Sequence, residues 1–322
     1  MIRQRDLDSP VSVVFLMGFR QSGTTILSSV LGGIEGFVDL GEAHNVWGQR
    51  GRGWPKCGCQ LNVMDCPFWS EIVLDAPLES ASKVGTNGVP LEDPRPIEQL
   101  RTAWVRSFRG SRVGLNRAAT DEIGSRYVPI MAHVYRKAAT KDGPVLIDSS
   151  KNPAYAALLN RMPGVRSHLV HVVRDPRAAL WSRLRKLRAG SDNDESPVVA
   201  ARFAVSWMRT NALSELVMKS HALGSTTRVL YEDFIADPEG ILRRIAALAD
   251  VDPDVLPLQG SHTALLGANH TASGNARVRF RSGPVELRLD DEWRSSLDPA
   301  ARRTVTVLTA PFLIRYGYSL TS

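Results

Sequence analysis

The chain has 322 residues, 43% hydrophobic and 23% charged, an ordinary globular profile that excludes disordered, collagen-like and coiled-coil architectures. Its length suits two domains or one large α/β domain with insertions, and it can bury a full core without disulfide staples. Forty Lys and Arg against 33 Asp and Glu give a net charge of +7, mostly from Arg, whose guanidinium fork suits phosphate or sulfate without choosing between nucleotide, nucleic acid and acidic membrane.

The opening MIRQRDLDSP has no apolar region of the kind a secretory signal needs. The apolar run Val13–Met17 is far short of the roughly 18 residues of a membrane span. A cytoplasmic protein with no membrane span is expected. Ser12–Gly18 reads as a buried strand, and an amphipathic helix follows at Thr24–Leu31. More than a hundred residues then pass before the next strand signal. They contain three cysteines, a Pro/Gly-rich stretch at Gly85–Pro96, and helices expected at Ile97–Phe108 and Asp121–Ala138.

Further strands are expected at Pro144–Asp148, His168–Val173 and Thr227–Tyr231, each apolar on both faces as in a covered parallel sheet. Helices are expected at Pro176–Arg188, Val198–His221, Pro238–Ala249 and Pro299–Arg315, and Gly190–Ser196 is a polar loop. The alternation predicts an α/β fold with a doubly wound core and a parallel sheet. Residues 1–322 form a single domain on this reading, with residues 50–140 a helical insertion that caps the site.

The first strand runs into Gly18-Phe19-Arg20-Gln21-Ser22-Gly23-Thr24-Thr25 and then directly into a helix. Unpaired backbone N–H groups converge at such a junction and cradle an anion. The G-x4-G spacing matches the nucleoside-triphosphate loop, but Thr24 stands where that loop has Lys, and the cation is Arg20 instead. A Mg-ATP site would lack its γ-phosphate contact, which weakens a kinase reading and keeps an anion site. This loop resembles the 5′-phosphosulfate loop of sulfotransferases that use 3′-phosphoadenosine 5′-phosphosulfate (PAPS), where a Lys or Arg precedes Ser-Gly-Thr-Thr.

A second motif strengthens the resemblance. The third strand ends in Val173-Arg174-Asp175-Pro176-Arg177, and Ser182 lies eight positions after Arg174. In the family such an Arg and Ser hold the 3′-phosphate of the cofactor. The neighbouring run Arg183, Arg185, Lys186 and Arg188 reads as a solvated face, not a nucleic-acid patch. Asp148-Ser149-Ser150-Lys151-Asn152-Pro153 resembles the Lys-x-Pro element of several branches, with Lys151 at a strand end. Tyr231-Glu232-Asp233-Phe234 resembles the Tyr-Glu-Asp segment, in which the tyrosine contacts adenine and the acids are structural. His270 to Arg281 resembles a loop usually read as Gly-Asn-Pro and Arg-Phe. Here Ala276 replaces Pro, and one extra residue leaves open which of Arg277, Arg279 and Arg281 meets the nucleotide.

The resemblance implies a PAPS-dependent sulfotransferase with a three-layer α/β/α, P-loop-like core, the capping insertion on its acceptor side, and Arg20, Gln21, Ser22, Gly23, Thr24, Thr25, Arg174, Ser182, Tyr231, Asn275, Arg277 and Arg279 at the nucleotide. Arg20 and Lys151 would offset charge on the bridging oxygen, and no metal is required. For the base, Glu42 in Leu40-Gly41-Glu42-Ala43-His44 matches the Gly-Glu of the tyrosylprotein and related branches. His44 is the runner-up. The acceptor would be a hydroxyl, less favourably an amine, on a small molecule, glycan or lipid, and oligomeric state is not readable. The alternatives are an ATP-dependent small-molecule kinase and a non-catalytic nucleotide- or nucleic-acid-binding protein.

Cys57-Gly58-Cys59 and Cys66 invite a zinc reading with His44 as fourth ligand, but zinc knots have paired CxxC spacing. The spacing favours a Cys-Pro-Phe-Trp core anchor at Cys66–Trp69, with or without one disulfide, and no metal site is expected.

Overall fold

The computed structural model describes residues 10–48, 53–77, 95–110, 117–141, 143–188, 196–222 and 224–321. Most of the Gly85–Pro96 stretch and the polar loop at Gly190–Ser196 lie outside the described residues. The main sheet has five parallel strands: β1 (Val11–Gly18), β2 (Phe37–Asp39), β3 (Val145–Lys151), β4 (Val165–Val173) and β5 (Thr226–Leu230). Their spatial order is β2-β3-β1-β4-β5, so β1 lies between β3 and β4 at the centre.

Among the described residues twelve α-helices accompany them. The first half of the chain holds α1 (Thr24–Leu31), α2 (Trp69–Leu74), α3 (Arg95–Gly110), α4 (Arg117–Ala139) and α5 (Pro153–Leu159). The second half holds α6 (Pro176–Arg188), α7 (Pro197–Lys219), α8 (Tyr231–Ala236), α9 (Pro238–Leu248), α10 (Ala276–Arg279), α11 (Trp293–Ser296) and α12 (Pro299–Tyr316). Pro153, Pro197, Pro238 and Pro299 each open a helix, where a missing N–H costs nothing, behind the side-chain caps Asn152, Ser196, Asp237 and Asp298.

Strand periodicity divides the core. Val13, Phe15 and Met17 of β1 face one layer, while Val14 and Leu16 face the other. The second layer is α1 with α9, through Leu27, Val30, Leu31, Ile241, Leu242 and Ile245. The first layer contains α4, whose Tyr127, Ile130, Met131, Val134 and Tyr135 pack with Val13 and Phe15 in one continuous core. The long segment between β1 and β3 therefore covers one sheet face, and none of its described residues from 53 to 141 lines the main cavity.

Two expectations need correction. The strand expected at Thr227–Tyr231 ends at Leu230, Tyr231 opens α8, and β5 is a partly exposed edge strand, not one covered on both faces. A second sheet, antiparallel, was not anticipated: β6 (Leu258–Gln259), β7 (Thr263–Leu266) and β8 (Gly283–Glu286) in the order β6-β7-β8. Its strands run only two to four residues, too short for alternation to register. Among the described residues no helix is long and apolar enough to cross a membrane.

Candidate active site

Four adjacent parallel strands, β3, β1, β4 and β5, end at one edge of the sheet, and the residues at or just after their ends are Lys151, Arg20, Arg174 and Tyr231. Ligands of open α/β sheets bind at this edge. The cavity there has a volume of about 1020 Å³. It is lined by seven Lys or Arg side chains (Arg20, Lys151, Arg174, Arg183, Lys186, Arg209, Arg288) against the carboxylates Glu42 and Glu286. Partial burial, then the neighbouring cations Lys151 and Arg277, push the Lys186 ammonium below its ordinary pKa. A crowd of like charges in a concavity raises the local concentration of anions.

The loop after β1 has the geometry its sequence requires. Gly23 has φ of 83° and caps α1 without a side-chain hydrogen bond, leaving the first-turn N–H groups open. A Cβ on Gly23 would lie 2.1 Å from the Tyr231 ring, so only glycine lets that ring close on the loop. Thr24 Oγ1 is buried with no hydrogen-bond partner. Ser22 is different: its hydroxyl donates to Phe19 O at 2.6 Å and it does not line the cavity, so it shapes the loop.

Arg174 is 5% exposed. Its Nη1 donates to Gln21 O at 3.1 Å, its guanidinium lies 4.7 Å over the Tyr231 ring, and Asp290 is 3.7 Å from Nη2. Nε and Nη2 are nevertheless buried without a hydrogen-bond partner. Leaving two buried donors unmade is costly unless a ligand accepts from them. The next motif residues are structural: Asp175 pairs with Arg177, and Glu232 accepts from Asp175 N and Tyr318 Oη.

Glu42 sits on a tight turn after β2. Lys151 Nζ donates to Glu42 Oε1 at 2.5 Å, and Asn45 Nδ2 donates to Oε2 at 2.7 Å. Arg101 of α3 holds this turn from below, donating through Nη1 to His44 O, Asn45 Oδ1 and Gly48 O. Beneath Lys151, Asp148 accepts from Tyr135 Oη and from the N–H and hydroxyl of Ser150. Burial pushes Asp148 up to about 6 and Asp39 up to about 7. His44 also lines the cavity, stacked on Tyr155 at 4.2 Å. Burial, then Arg101 and Lys151, hold its pKa well below the ordinary value, so it is a neutral and weak base.

Arg20, Gln21, Gly23, Thr24, Thr25, Glu42, His44, Lys151, Arg174, Ser182, Tyr231 and Asn275 thus meet around one cavity. Arg277 is exposed and Arg279 is turned inward, where its Nη1 donates to Lys56 O at 2.7 Å and Ala272 O at 3.0 Å. Neither lines the cavity, although the charge of Arg277 reaches the lining residue Lys186. The basic run of α6 also divides: Arg183 and Lys186 line the cavity, while Arg185 pairs with Asp290 and Glu292. Lys186 lies one turn beyond Ser182, so helical spacing could have found it. Arg209 and Arg288 carried no local signal. The three cysteines are free thiols, and the histidine beside them is His270, not His44.

A model of the sulfotransferase family matches residues 13–254. The chain belongs to the sulfotransferase family. Its fold is similar to the sulfotransferase domain from the olefin synthase of Synechococcus PCC 7002, with 21% identity, 98% of both chains covered and a TM-score of 0.52. Sulfotransferase STF9 from Mycobacterium avium aligns at 14% identity over 97% of this chain and 79% of that one, with a TM-score of 0.47. No curated protein matches the sequence. This sulfotransferase is therefore a transferase with the α/β fold of its family.

Proposed function

We propose that this sulfotransferase moves a sulfuryl group from PAPS to a hydroxyl on a small-molecule, carbohydrate or lipid acceptor. The observation that carries the reading is Arg174, a buried guanidinium with two donors that lack a hydrogen-bond partner, in a cationic cavity. Arg174, with Ser182 beside it, would hold the 3′-phosphate. The first turn of α1, with Thr24 and Thr25, would take the 5′-phosphosulfate, and Tyr231, already stacked on Arg174, would face the adenine.

In the transfer, the acceptor oxygen bonds to sulfur on the side opposite the bridging oxygen. The bond from sulfur to that oxygen breaks, and adenosine 3′,5′-bisphosphate departs. Arg20 and Lys151 offset the charge that grows on the leaving phosphate. Arg20 makes no ion pair among the described residues, so its charge is available. Glu42 takes the acceptor proton. Its pairing with Lys151 couples the two roles: an arriving phosphosulfate competes for the ammonium and leaves the carboxylate to the acceptor. His44, held neutral at ordinary pH, is the poorer base. The cavity of about 1020 Å³ leaves space beside a nucleotide for a second molecule. The segment between β1 and β3 would act on acceptor choice through Arg101, which sets the turn carrying Glu42.

The test is titration with adenosine 3′,5′-bisphosphate, followed by labelled PAPS against hydroxyl and amine acceptors, with Mg-ATP run in parallel. Binding of the bisphosphate and label transfer to an acceptor are expected. No bisphosphate binding, or turnover with Mg-ATP alone, would remove the donor assignment.

A further inference from the structure

The cysteine cluster is the strongest group of chemistry-bearing side chains outside the active site. Cys57 and Cys66 are fully buried, Cys59 is half-buried, and all three are free. With His270, more than two hundred residues away in sequence, they bring four ligand atoms within 4.8 Å of one another. The distances are 3.5 Å for Cys57 Sγ to Cys66 Sγ and 3.7 Å for Cys59 Sγ to Cys66 Sγ. From His270 Nδ1 they are 3.3 Å to Cys66 Sγ and 3.7 Å to Cys57 Sγ.

These lengths have a geometric meaning. Zinc holds thiolate at about 2.3 Å and imidazole nitrogen at about 2.05 Å, so a tetrahedral site has S···S edges of about 3.75 Å and S···N edges of about 3.55 Å. A disulfide would need about 2.05 Å between two sulfurs, would leave the third thiol odd, and has no use for a histidine facing the sulfurs.

Burial pushes the Cys57 and Cys66 thiols up, and backbone N–H groups act against it, those of Phe68 and Trp69 on Cys66 Sγ and that of Cys59 on Cys57 Sγ. The His270 ring is fixed: Phe68 stacks on it at 5.4 Å, and Trp69 Nε1 donates to its carbonyl. A zinc ion with three thiolates and a neutral imidazole carries one net negative charge. The buried guanidinium of Arg279 stands close enough to act on Cys57, donates to Lys56 O and Ala272 O on either side of the cluster, and keeps Nε unpartnered. That is the counter-charge a buried anionic site requires.

We propose that Cys57, Cys59, Cys66 and His270 bind one zinc ion as a closed, four-ligand structural site. This revises the expectation of no metal, and it does not rest on the sulfotransfer reading. Thiolate and imidazole in a tetrahedral set favour zinc over harder divalent ions, and a full protein shell leaves no open position for substrate. The site would tie the hairpin around Cys57 to the loop that follows β7. Gly58 N donates to Thr271 O at 2.9 Å, and a Cβ on Gly58 would overlap Asn269 Oδ1. Immediately beyond, Ser273 O accepts from Glu42 N at 3.2 Å, and Gly274 and Asn275 line the active-site cavity. The metal would thus fix the loop that positions Glu42.

The test uses the full chain purified without chelator. Elemental analysis should give one zinc per chain, with three thiols protected from alkylation until a chelator or mercurial is added. Replacement with cobalt(II) should produce the intense visible bands of a tetrahedral ion together with thiolate-to-cobalt charge transfer. Cys59→Ser should weaken zinc binding beyond the about 10–100-fold of an outer-sphere change, and His270→Gln should lose stoichiometric metal. The cobalt spectrum is read on the unaltered chain, so a variant that fails to fold does not spoil the test. Less than stoichiometric zinc with no tetrahedral cobalt spectrum, an intramolecular disulfide, or an iron–sulfur chromophore would each overturn the zinc site.

Discussion

Arg174→Met keeps most of the side-chain volume and removes the fork. In the structure the guanidinium is 5% exposed and leaves Nε and Nη2 without hydrogen-bond partners. A hydrogen bond to a charged group contributes about 1.5–3 kcal/mol. Two such bonds to a phosphate come to about 3–6 kcal/mol, and at about 1.4 kcal/mol per tenfold this is a factor of about 10²–10⁴ in affinity. Calorimetric titration of the variant with adenosine 3′,5′-bisphosphate should show at least a 100-fold weaker complex. Adenosine 5′-phosphosulfate, which has no 3′-phosphate, should bind both proteins within about threefold. The contact with Gln21 O and the stacking on Tyr231 are also lost, so a stability decrease of about 1–2 kcal/mol is expected and is read separately by thermal unfolding. An equal loss for both nucleotides would mean that Arg174 acts by shaping the loop through Gln21. Unchanged bisphosphate affinity would refute the assignment outright.

Other outcomes follow from the same geometry. Glu42→Gln should lower turnover by about 10² or more with bisphosphate affinity nearly unchanged, and near-normal turnover would remove it from the base role. Lys151→Met should lower kcat by about 10²–10³, the usual cost of one donor at a developing charge, in a single-turnover assay with saturating donor. Asp39 is pushed by burial from the ordinary 3.8 up to about 7, so between these pH values the folded chain holds a proton that the unfolded chain has lost. Its contribution is therefore fully present below about pH 4 and lost as pH rises through 7, by at most about 4 kcal/mol. Urea unfolding of Asp39→Asn should show a flatter profile over that window than the parent chain, and parallel profiles would contradict the burial argument. Arg279→Met should lower stability by about 2–3 kcal/mol through its lost carbonyl contacts, while bisphosphate binding changes less than tenfold, because the residue is outside the cavity.

The parts of the site that were legible in the sequence are those built locally. The loop from Gly18 to Thr25 needs a positive φ at Gly23 and an open helix start, and both are properties of a few consecutive residues. Arg174 follows one strand end and Ser182 lies on the next helix, so the motif that carried the family resemblance is local. The same logic fixed the bounds of α1 and α6, with Leu and Val periodicity in one and a Pro start in the other. The inward turn of Arg279 was not legible, because nothing local says whether an arginine in a loop turns outward or donates to carbonyls behind it. The short antiparallel strands and the three-residue β2 were below the length at which a pattern can register.

The amino-acid order alone carried the alternation of strand and helix, the glycine-bounded loop that opens α1 and the resemblance to the family, because each rests on residues within about one supersecondary unit. Which cations share the cavity was decided by the β3-β1-β4-β5 order, which delivers four distant strand ends to one edge. The convergence of His270 on three cysteines, and of Arg101 on the Glu42 turn, came only with the tertiary packing. Those partners lie 53 to 213 positions apart, and side-chain contacts over such separations are set by how layers stack, not by any property of the intervening chain.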